Sequence, residues 1–141
     1  GLRVGWGLFP PAAASEMRKL LPPNNISGAS QAAAAAAMLD QPYMSATVAD
    51  TARLRDGFTQ RLRDLGLTVA DSFTNFVLIR LPDGDSARRA DRTLRAEGII
   101  MRAMTGYGLP NCLRVTIGSD AHMNLASDHL AAWCEKEKLP W

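Results

Sequence analysis

Residues 106–118 have the sequence Gly-Tyr-Gly-Leu-Pro-Asn-Cys-Leu-Arg-Val-Thr-Ile-Gly, and this stretch decides the fold. Its first half is rich in glycine and proline and predicts a loop. The second half, Cys112–Ile117, predicts a β-strand, because two kinds of side chain alternate along it. Successive side chains of a strand point to opposite faces of the sheet. Arg114 and Thr116 are therefore expected on the face opposite to the one formed by Leu113, Val115 and Ile117.

The pattern of strands and helices continues on both sides of this stretch. The elements predicted before it are strands Leu67–Ala70 and Phe76–Leu81, helix Ser86–Glu97 and strand Ile99–Met104. After it comes a final helix, which Ser119 or Asp120 caps. The side chains that this helix is expected to bury are Met123, Ala126, Leu130, Trp133 and Cys134. These elements predict a compact α/β unit over residues 46–141.

The first part of the chain has a different pattern. Leu2, Val4 and Trp6 alternate with other residues and predict a strand that is buried on at least one face. Three helices follow in the prediction: Ala12–Leu21 between two proline pairs, a second running through an alanine run to Leu39, and a third from Ser45 to Leu65. We place a domain boundary near residues 40–50, with residues 1–45 before it.

Composition and charge are those of an ordinary globular protein and give no indication of a nucleic-acid or membrane-surface partner. The 141 residues can form a sizeable core, and 47% hydrophobic with 21% charged residues is ordinary for a globular protein. A net charge of +2 is too balanced to indicate nucleic acid or a membrane surface as a partner. We expect Cys112 and Cys134 to be free thiols in a reducing cytoplasm.

Gly1-Leu2-Arg3 and the stretch Gly106–Gly118 together resemble the second half of a pyridoxal-phosphate-dependent aminotransferase of fold type I. Within that family the chain is most similar to the histidinol-phosphate aminotransferases, which implies a role in histidine biosynthesis. The resemblance implies a small, mainly antiparallel sheet covered by helices over residues 46–141. It also implies that residues 1–45 are one strand and helices left over from the large cofactor-binding domain, together with the interdomain helix.

The resemblance further implies an activity. The expected reaction is amino transfer between histidinol phosphate, or an aromatic amino acid, and 2-oxoglutarate, with pyridoxal 5'-phosphate as cofactor. The family's Schiff-base lysine would precede Gly1, so we expect a fragment that is inactive by itself. The missing N-terminal part of the enzyme would be its partner, in a cytoplasmic homodimer.

Four residues fall on positions to which the family gives a function. Arg3 corresponds to the arginine that binds the cofactor phosphate, and Arg114 to the arginine that holds the substrate carboxylate. Arg102 is expected near the distal phosphate or side chain of the substrate, and Asn75 at the edge of the active site.

The residues alone leave each of these roles open. A guanidinium binds carboxylate or phosphate through paired donors, so Arg3 and Arg114 suit an anion. Arg3 could equally form a structural ion pair, and Arg114 could be an exposed charge on an open sheet face. Arg102 could pair with a surface acid, and the amide of Asn75 could cap a turn.

Other kinds of site have weaker support. Lys19, Lys136 and Lys138 lack the apolar setting that lowers the pKa of a Schiff-base lysine. His122 and His129 would lie about 10 Å apart along one helix, too far to share a metal ion. Two other functions remain open: a threonine-phosphate-type pyridoxal-phosphate decarboxylase, and a non-catalytic α/β binding or assembly module.

Overall fold

The structure, a computed structural model, describes residues 1–137. The chain forms two compact units, Gly1–Ala46 and Thr47–Trp141. Within residues 1–137, no helix is long and apolar enough to cross a membrane.

The first unit is built from short helices. Helix α1, Pro11–Leu20, has proline in its first turn, where a missing N–H costs no helical hydrogen bond. Helix α2, Gly28–Leu39, is capped by Ser27, whose Oγ accepts a hydrogen bond from the Ser30 N–H at 3.1 Å. Both helices agree with the prediction to within a few residues.

The predicted strand over Leu2–Trp6 is wrong. Residues 1–10 contain neither helix nor strand, and the side chains of Leu2 and Trp6 are exposed. Arg3 has a left-handed backbone with φ of 57°, which interrupts an extended chain. A strand also needs a hydrogen-bonding neighbour, and residues 1–10 pair with no strand in the described part of the chain.

The second unit contains a sheet of four strands. They are β1 (Thr68–Val69), β2 (Phe76–Arg80), β3 (Arg102–Ala103) and β4 (Cys112–Thr116). Their order is β1-β2-β4-β3, and every neighbouring pair is antiparallel. Strand β4 therefore lies inside the sheet, and β3 forms one edge.

Strand β3 is shorter than predicted, for a local reason. The preceding helix α4, Gly84–Ala96, ends through Gly98 in a left-handed conformation with φ of 77°. The Ile99 N–H then donates to the Leu94 carbonyl at 2.9 Å, so Ile99 completes the helix end. The ladder between β3 and β4 consequently begins only at Arg102.

Three helices cover one face of the sheet: α3 (Gln41–Asp64), α4 and α5 (Asp120–Glu137). Helix α3 begins four residues earlier than predicted, at Gln41. Inward residues of β2 and β4 pack against the three helices. The five residues predicted to be buried on α5 are all buried: Met123, Ala126, Leu130, Trp133 and Cys134. The α/β fold with a small antiparallel sheet covered by helices is thus confirmed, and Cys112 and Cys134 are free and buried.

Candidate functional site

Arg114 lies near the middle of β4, on the sheet face that the helices leave open. Its neighbours Leu113 and Val115 belong to the core, and alternation along the strand turns Arg114 the other way. Arg102 of β3 is its direct cross-strand partner. Directly opposed residues share one face, with Cβ atoms about 4.5–5.5 Å apart. The two arginine side chains therefore leave the sheet from adjacent positions on its open face.

An aromatic ring lies against the guanidinium of Arg114. The Cζ atom of Arg114 is 4.9 Å from the centre of the Phe76 ring, within the range of a cation–π contact. The Nε atom is buried and has no hydrogen-bond partner among the described residues. Arg114 also forms no ion pair within the described part of the chain, so its charge is available to an anion.

Arg102 is held by a second aromatic residue. Its Nη2 donates to the Tyr107 Oη at 2.9 Å, and its Cζ lies 5.3 Å from the centre of the Tyr107 ring. Tyr107 ends a short 3-10 helix, Thr105–Tyr107, and Gly108 follows in a left-handed conformation with φ of 73°. Arg102 is exposed and has no carboxylate partner in residues 1–137, so the surface acid considered from the sequence is not found there.

Most other arginines of the second unit have their charge balanced locally. Seven are paired with carboxylates: Arg53, Arg55, Arg61, Arg63, Arg88, Arg89 and Arg95. Arg102 and Arg114 differ from these in having aromatic contacts in place of acidic ones. The open face between them therefore carries uncompensated positive charge.

A groove of ≈ 810 Å³ adjoins the two arginines. Arg102, Arg114 and Thr116 contribute to its polar part. Its apolar wall is formed by Ile99, Ile100, Ile117, Met123, Leu125 and Ala126. Arg95 also lines the groove, but its Nε donates to Asp91 at 2.8 Å, which raises the pKa of Arg95 and balances its charge. The groove is thus lined by both arginines and apolar side chains.

The first turn of α5 is anchored beside this groove. Two nitrogens of Arg53 on α3 donate to the two carboxylate oxygens of Asp120, at 3.1 and 2.9 Å. This paired contact holds the pKa of Asp120 below its usual value. His122, two residues further on, lies against Gly118, where an added Cβ would be 3.1 Å from the imidazole Nδ1. Glycine at 118 therefore allows α5 to follow β4 closely.

Asn75 stands at the entrance to β2 and is exposed. Its carbonyl accepts the Ile117 N–H at 2.8 Å, which extends the pairing of β2 with β4. The turn before it is capped by the hydroxyls of Ser72 and Thr74, which accept the N–H groups of Thr74 and Phe76 at 3.2 and 3.4 Å. Among the described residues, no hydrogen bond joins the side-chain amide of Asn75 to this turn.

Arg3 belongs to the first unit and lines a separate cavity of ≈ 440 Å³. The alanines Ala33, Ala34 and Ala37 form much of its wall, so a bulky group can approach the backbone there. Arg3 forms no ion pair within residues 1–137, which excludes the structural ion pair considered from the sequence for this part of the chain. A free guanidinium beside small side chains is a donor set that fits a phosphate.

The described lysines do not resemble Schiff-base lysines. Lys19 is exposed and bonded to Glu16 at 2.6 Å, and Lys136 is exposed on α5. Lys138 lies outside the described residues. Residues 1–137 also contain no cluster of three or more histidine, cysteine or acidic side chains that could hold a metal ion.

Sequence reasoning found Arg102 and Arg114 but missed the aromatic residues that hold them. Phe76 lies opposite Thr116 in the register of β2 and β4, diagonal to Arg114. The alternation of β2 places Phe76 on the open face, a signal that the sequence contains once the register is known. Tyr107 lies within residues 106–118, but only the fold of the loop brings it into contact with Arg102.

Comparison with known proteins identifies the family. The sequence model described as "Aminotransferase class I and II" matches residues 1–130. The chain is 42% identical over 134 residues to a histidinol-phosphate aminotransferase from Rhodospirillum centenum, covering 94% of this chain and 37% of the relative. A histidinol-phosphate aminotransferase from Paracoccus denitrificans is 38% identical over 121 residues, with 86% and 33% covered.

Solved structures agree with the sequence comparison. The crystal structure of histidinol-phosphate aminotransferase from Sinorhizobium meliloti, in complex with pyridoxal-5'-phosphate, superposes with a TM-score of 0.78 at 28% identity. The match covers 90% of this chain and 35% of that one. The chain thus spans about a third of the length of the curated relatives it matches, at 37% and 33%. The match over residues 1–130 and the identity near 40% show that this chain belongs to the aminotransferase class I and II family.

Proposed function

We propose that this chain is the C-terminal part of a pyridoxal-phosphate-dependent aminotransferase that transfers the amino group of histidinol phosphate to 2-oxoglutarate. The observation that carries the proposal is the cross-strand pair Arg102 and Arg114, with no carboxylate partner within residues 1–137. The names of the relatives support the choice of substrate.

The chemistry of the two substrates suits a pair of arginines. Histidinol phosphate has a phosphate ester where an amino acid has its carboxylate. Near neutral pH such an ester has a charge of roughly −1.5 to −2. 2-Oxoglutarate carries two carboxylates. We assign the anion on the reacting carbon chain to Arg114, whose fork matches carboxylate and phosphate alike. Arg102 then meets the second negative charge, and Asn75 borders the same site.

The apolar wall of the groove supports a ring-bearing substrate. Ile99, Ile100 and Leu125 line the same groove as Arg102 and Arg114 and offer apolar contact area there. An imidazole or a phenyl ring satisfies this wall equally well, so an aromatic amino acid is the second candidate donor. Its single carboxylate would leave Arg102 without an anion, and for that reason we place it second.

The cofactor would be held in part by Arg3. Its free guanidinium beside the alanine-lined cavity is the group that we assign to the cofactor phosphate. When bound, pyridoxal 5'-phosphate supplies an electron sink that stabilises negative charge on the substrate carbon. We propose that the Schiff-base lysine comes from a part of the enzyme outside this sequence. Within the described residues, the exposure of Lys19 and Lys136 supports this.

The two units receive different assignments. We propose that residues 1–45 belong to the large cofactor-binding domain and residues 46–141 to the small domain. The greater length of the relatives supports a parent enzyme that contains the rest of the large domain. We further propose a homodimer in the cytoplasm, where buried free thiols such as Cys112 and Cys134 stay reduced.

Product analysis on the full-length enzyme tests the proposal. The purified holoenzyme is supplied in turn with histidinol phosphate, an aromatic amino acid and threonine phosphate, each with 2-oxoglutarate. Formation of glutamate fastest from histidinol phosphate supports the proposal. Release of carbon dioxide from threonine phosphate without glutamate would establish the decarboxylase instead, and no turnover of any donor would favour the binding module.

A further inference from the structure

We propose that Phe76 and Tyr107 are positioning residues that fix the guanidinium groups of Arg114 and Arg102, and so set the affinity for doubly charged substrates. The inference rests on the proposed function, because it concerns the anion site named there. It starts from two measured contacts: Arg114 lies 4.9 Å from the Phe76 ring, and Arg102 lies 5.3 Å from the Tyr107 ring.

The two arginines need such support because they oppose each other directly. Like charges at directly opposed positions repel, and long side chains respond by turning apart. An arginine side chain also has many rotamers, each of which is lost when it binds an anion. A ring face attracts a guanidinium and restricts its orientation without neutralising it. The rings can therefore hold both cations in place while leaving their charge for a ligand.

The two supports differ in rigidity. Phe76 lies on β2, which pairs with β4 along its whole length, so ring and guanidinium belong to one continuous sheet. Tyr107 lies in the loop after β3 and is 60% exposed. We infer that Arg114 is the fixed member of the pair and receives the anion that all substrates share. Arg102 is the adjustable member and receives the second negative charge.

Tyr107 adds a hydrogen bond to its ring contact. The Oη atom accepts from Nη2 of Arg102 at 2.9 Å. Within residues 1–137 the other guanidinium nitrogens of Arg102 have no hydrogen-bond partner, so they can bind a ligand. Phenylalanine at this position would keep the ring and lose the acceptor. Leucine would lose both. The graded series Tyr, Phe, Leu therefore separates the contribution of the hydroxyl from that of the ring.

Steady-state kinetics of the full-length enzyme tests the inference. The variants are Phe76→Leu, Phe76→Tyr, Tyr107→Phe and Tyr107→Leu, and Phe73→Leu is the matched control because Phe73 is 92% exposed in the preceding loop. Phe76→Leu should raise KM for every substrate about 3- to 10-fold, as expected for one lost cation–π contact. Phe76→Tyr keeps a ring and should stay within about twofold of wild type.

The Tyr107 series should discriminate between substrates. Tyr107→Leu should raise KM about 3- to 10-fold for histidinol phosphate and 2-oxoglutarate, which carry a second negative charge, with kcat within about twofold. It should leave KM for a donor with one carboxylate, such as phenylalanine, unchanged. Tyr107→Phe should lie between wild type and Tyr107→Leu. Phe73→Leu should match wild type throughout.

A spectroscopic readout on the 141-residue chain accompanies the kinetics. Hydrogens above a ring face resonate upfield, so the guanidinium N–H signals of Arg114, whose Cζ lies over the Phe76 ring, should move downfield in Phe76→Leu and stay in place in Phe76→Tyr. If Phe76→Leu does not fold, the exposed Tyr107 series still decides whether aromatic contacts set the affinity for doubly charged substrates.

The possible outcomes separate the inference from the function. If Arg114→Lys impairs turnover but KM in Phe76→Leu and Tyr107→Leu stays at the wild-type value, the positioning role is wrong and the proposed function stands. If Tyr107→Leu raised KM equally for phenylalanine and for histidinol phosphate, the positioning role of Tyr107 would also be wrong. If Arg114→Lys has no effect, the proposed anion site itself is wrong.

Discussion

Arg102 and Arg114 are direct cross-strand partners at the edge of an antiparallel sheet, and neither meets a carboxylate within residues 1–137. Two like charges in this position destabilise the pairing of their strands. A doubly charged anion relieves the repulsion and gains paired, charge-assisted hydrogen bonds. We therefore propose this sheet edge as the binding site for a phosphate or a dicarboxylate.

Replacing Arg3 should weaken the cofactor more than the substrate. In the full-length enzyme, Arg3→Lys keeps the positive charge but loses the planar fork that matches a phosphate. We expect the dissociation constant of pyridoxal 5'-phosphate to rise about 10- to 150-fold, the effect of one lost charge-assisted hydrogen bond. Activity should return towards wild type once the cofactor is saturating.

Cofactor titration followed by absorbance provides the measurement. Arg18→Lys is the control, since Arg18 is exposed on α1 and forms no ion pair within the described residues. If Arg3→Lys bound the cofactor as tightly as wild type does, the assignment of Arg3 to the cofactor phosphate would be wrong.

Two glycines should respond to alanine in opposite directions. Gly57 lies in the interior of α3, and an added Cβ there would meet no atom within 4 Å. Gly57→Ala should therefore stabilise the chain by about 0.5–1 kcal/mol, because alanine has fewer conformations in the unfolded state. An added Cβ at Gly118 would lie 3.1 Å from Nδ1 and 3.2 Å from Cβ of His122. Gly118→Ala should destabilise by about 1 kcal/mol, through crowding.

Urea unfolding of the 141-residue chain measures both effects. The double variant Gly118→Ala, His122→Ala should recover part of the stability lost in Gly118→Ala, because the imidazole is removed. If Gly118→Ala were as stable as wild type, the close contact between β4 and the first turn of α5 would be wrong.

Cys134 should make the stability of the chain fall at high pH. Burial raises the pKa of its thiol from 9.0 to about 11. Between these values the thiol ionises in the unfolded chain and stays neutral in the folded one, so the free energy of unfolding decreases as pH rises. Below pH 9 the effect is absent.

The comparison with Cys134→Ala isolates this effect from other groups that titrate in the same range. Urea unfolding from pH 8 to 10.5 should give a steeper decline for wild type than for the variant. Parallel declines would mean that the thiol is not buried as described. At pH 8, a maleimide should label Cys134 only after unfolding.

The sequence alone predicted the elements whose signal is local. The buried stripe of α5 was predicted residue by residue, because the helical period requires only the spacing of Met123, Leu130 and Trp133. The open-face position of Arg114 followed from simple alternation along β4. Both features depend only on the spacing of residues within a single helix or strand.

The wrong predictions of strands concern segments whose structure depends on hydrogen-bonding partners elsewhere in the fold. Leu2, Val4 and Trp6 have the alternation of a strand, but a strand forms only against a neighbour. Ile99 has a strand-forming side chain, yet its N–H completes the end of α4 by donating to Leu94. Local propensity cannot distinguish these cases.

The site could be predicted only in part, for the same reason. Arg102 and Arg114 were identified singly, but their pairing depends on how the loop between β3 and β4 closes around Gly108. The contact of Phe76 with Arg114 requires the register of β2 against β4, which brings together residues far apart in the chain. Pairing and register are properties of the folded sheet.

The most direct test of the account is the steady-state kinetics of Arg114→Lys in the full-length enzyme, with saturating cofactor and with Arg92→Lys as control. Arg92 is an exposed arginine on α4 without an ion pair in the described residues. Because lysine keeps the charge but loses the two-pronged donor, we expect kcat/KM for amino transfer to fall about 10- to 150-fold, which corresponds to one charge-assisted hydrogen bond. Cofactor affinity should be unchanged, and Arg92→Lys should behave as wild type. A value of kcat/KM for Arg114→Lys within about twofold of wild type would contradict the assignment of the substrate anion to Arg114.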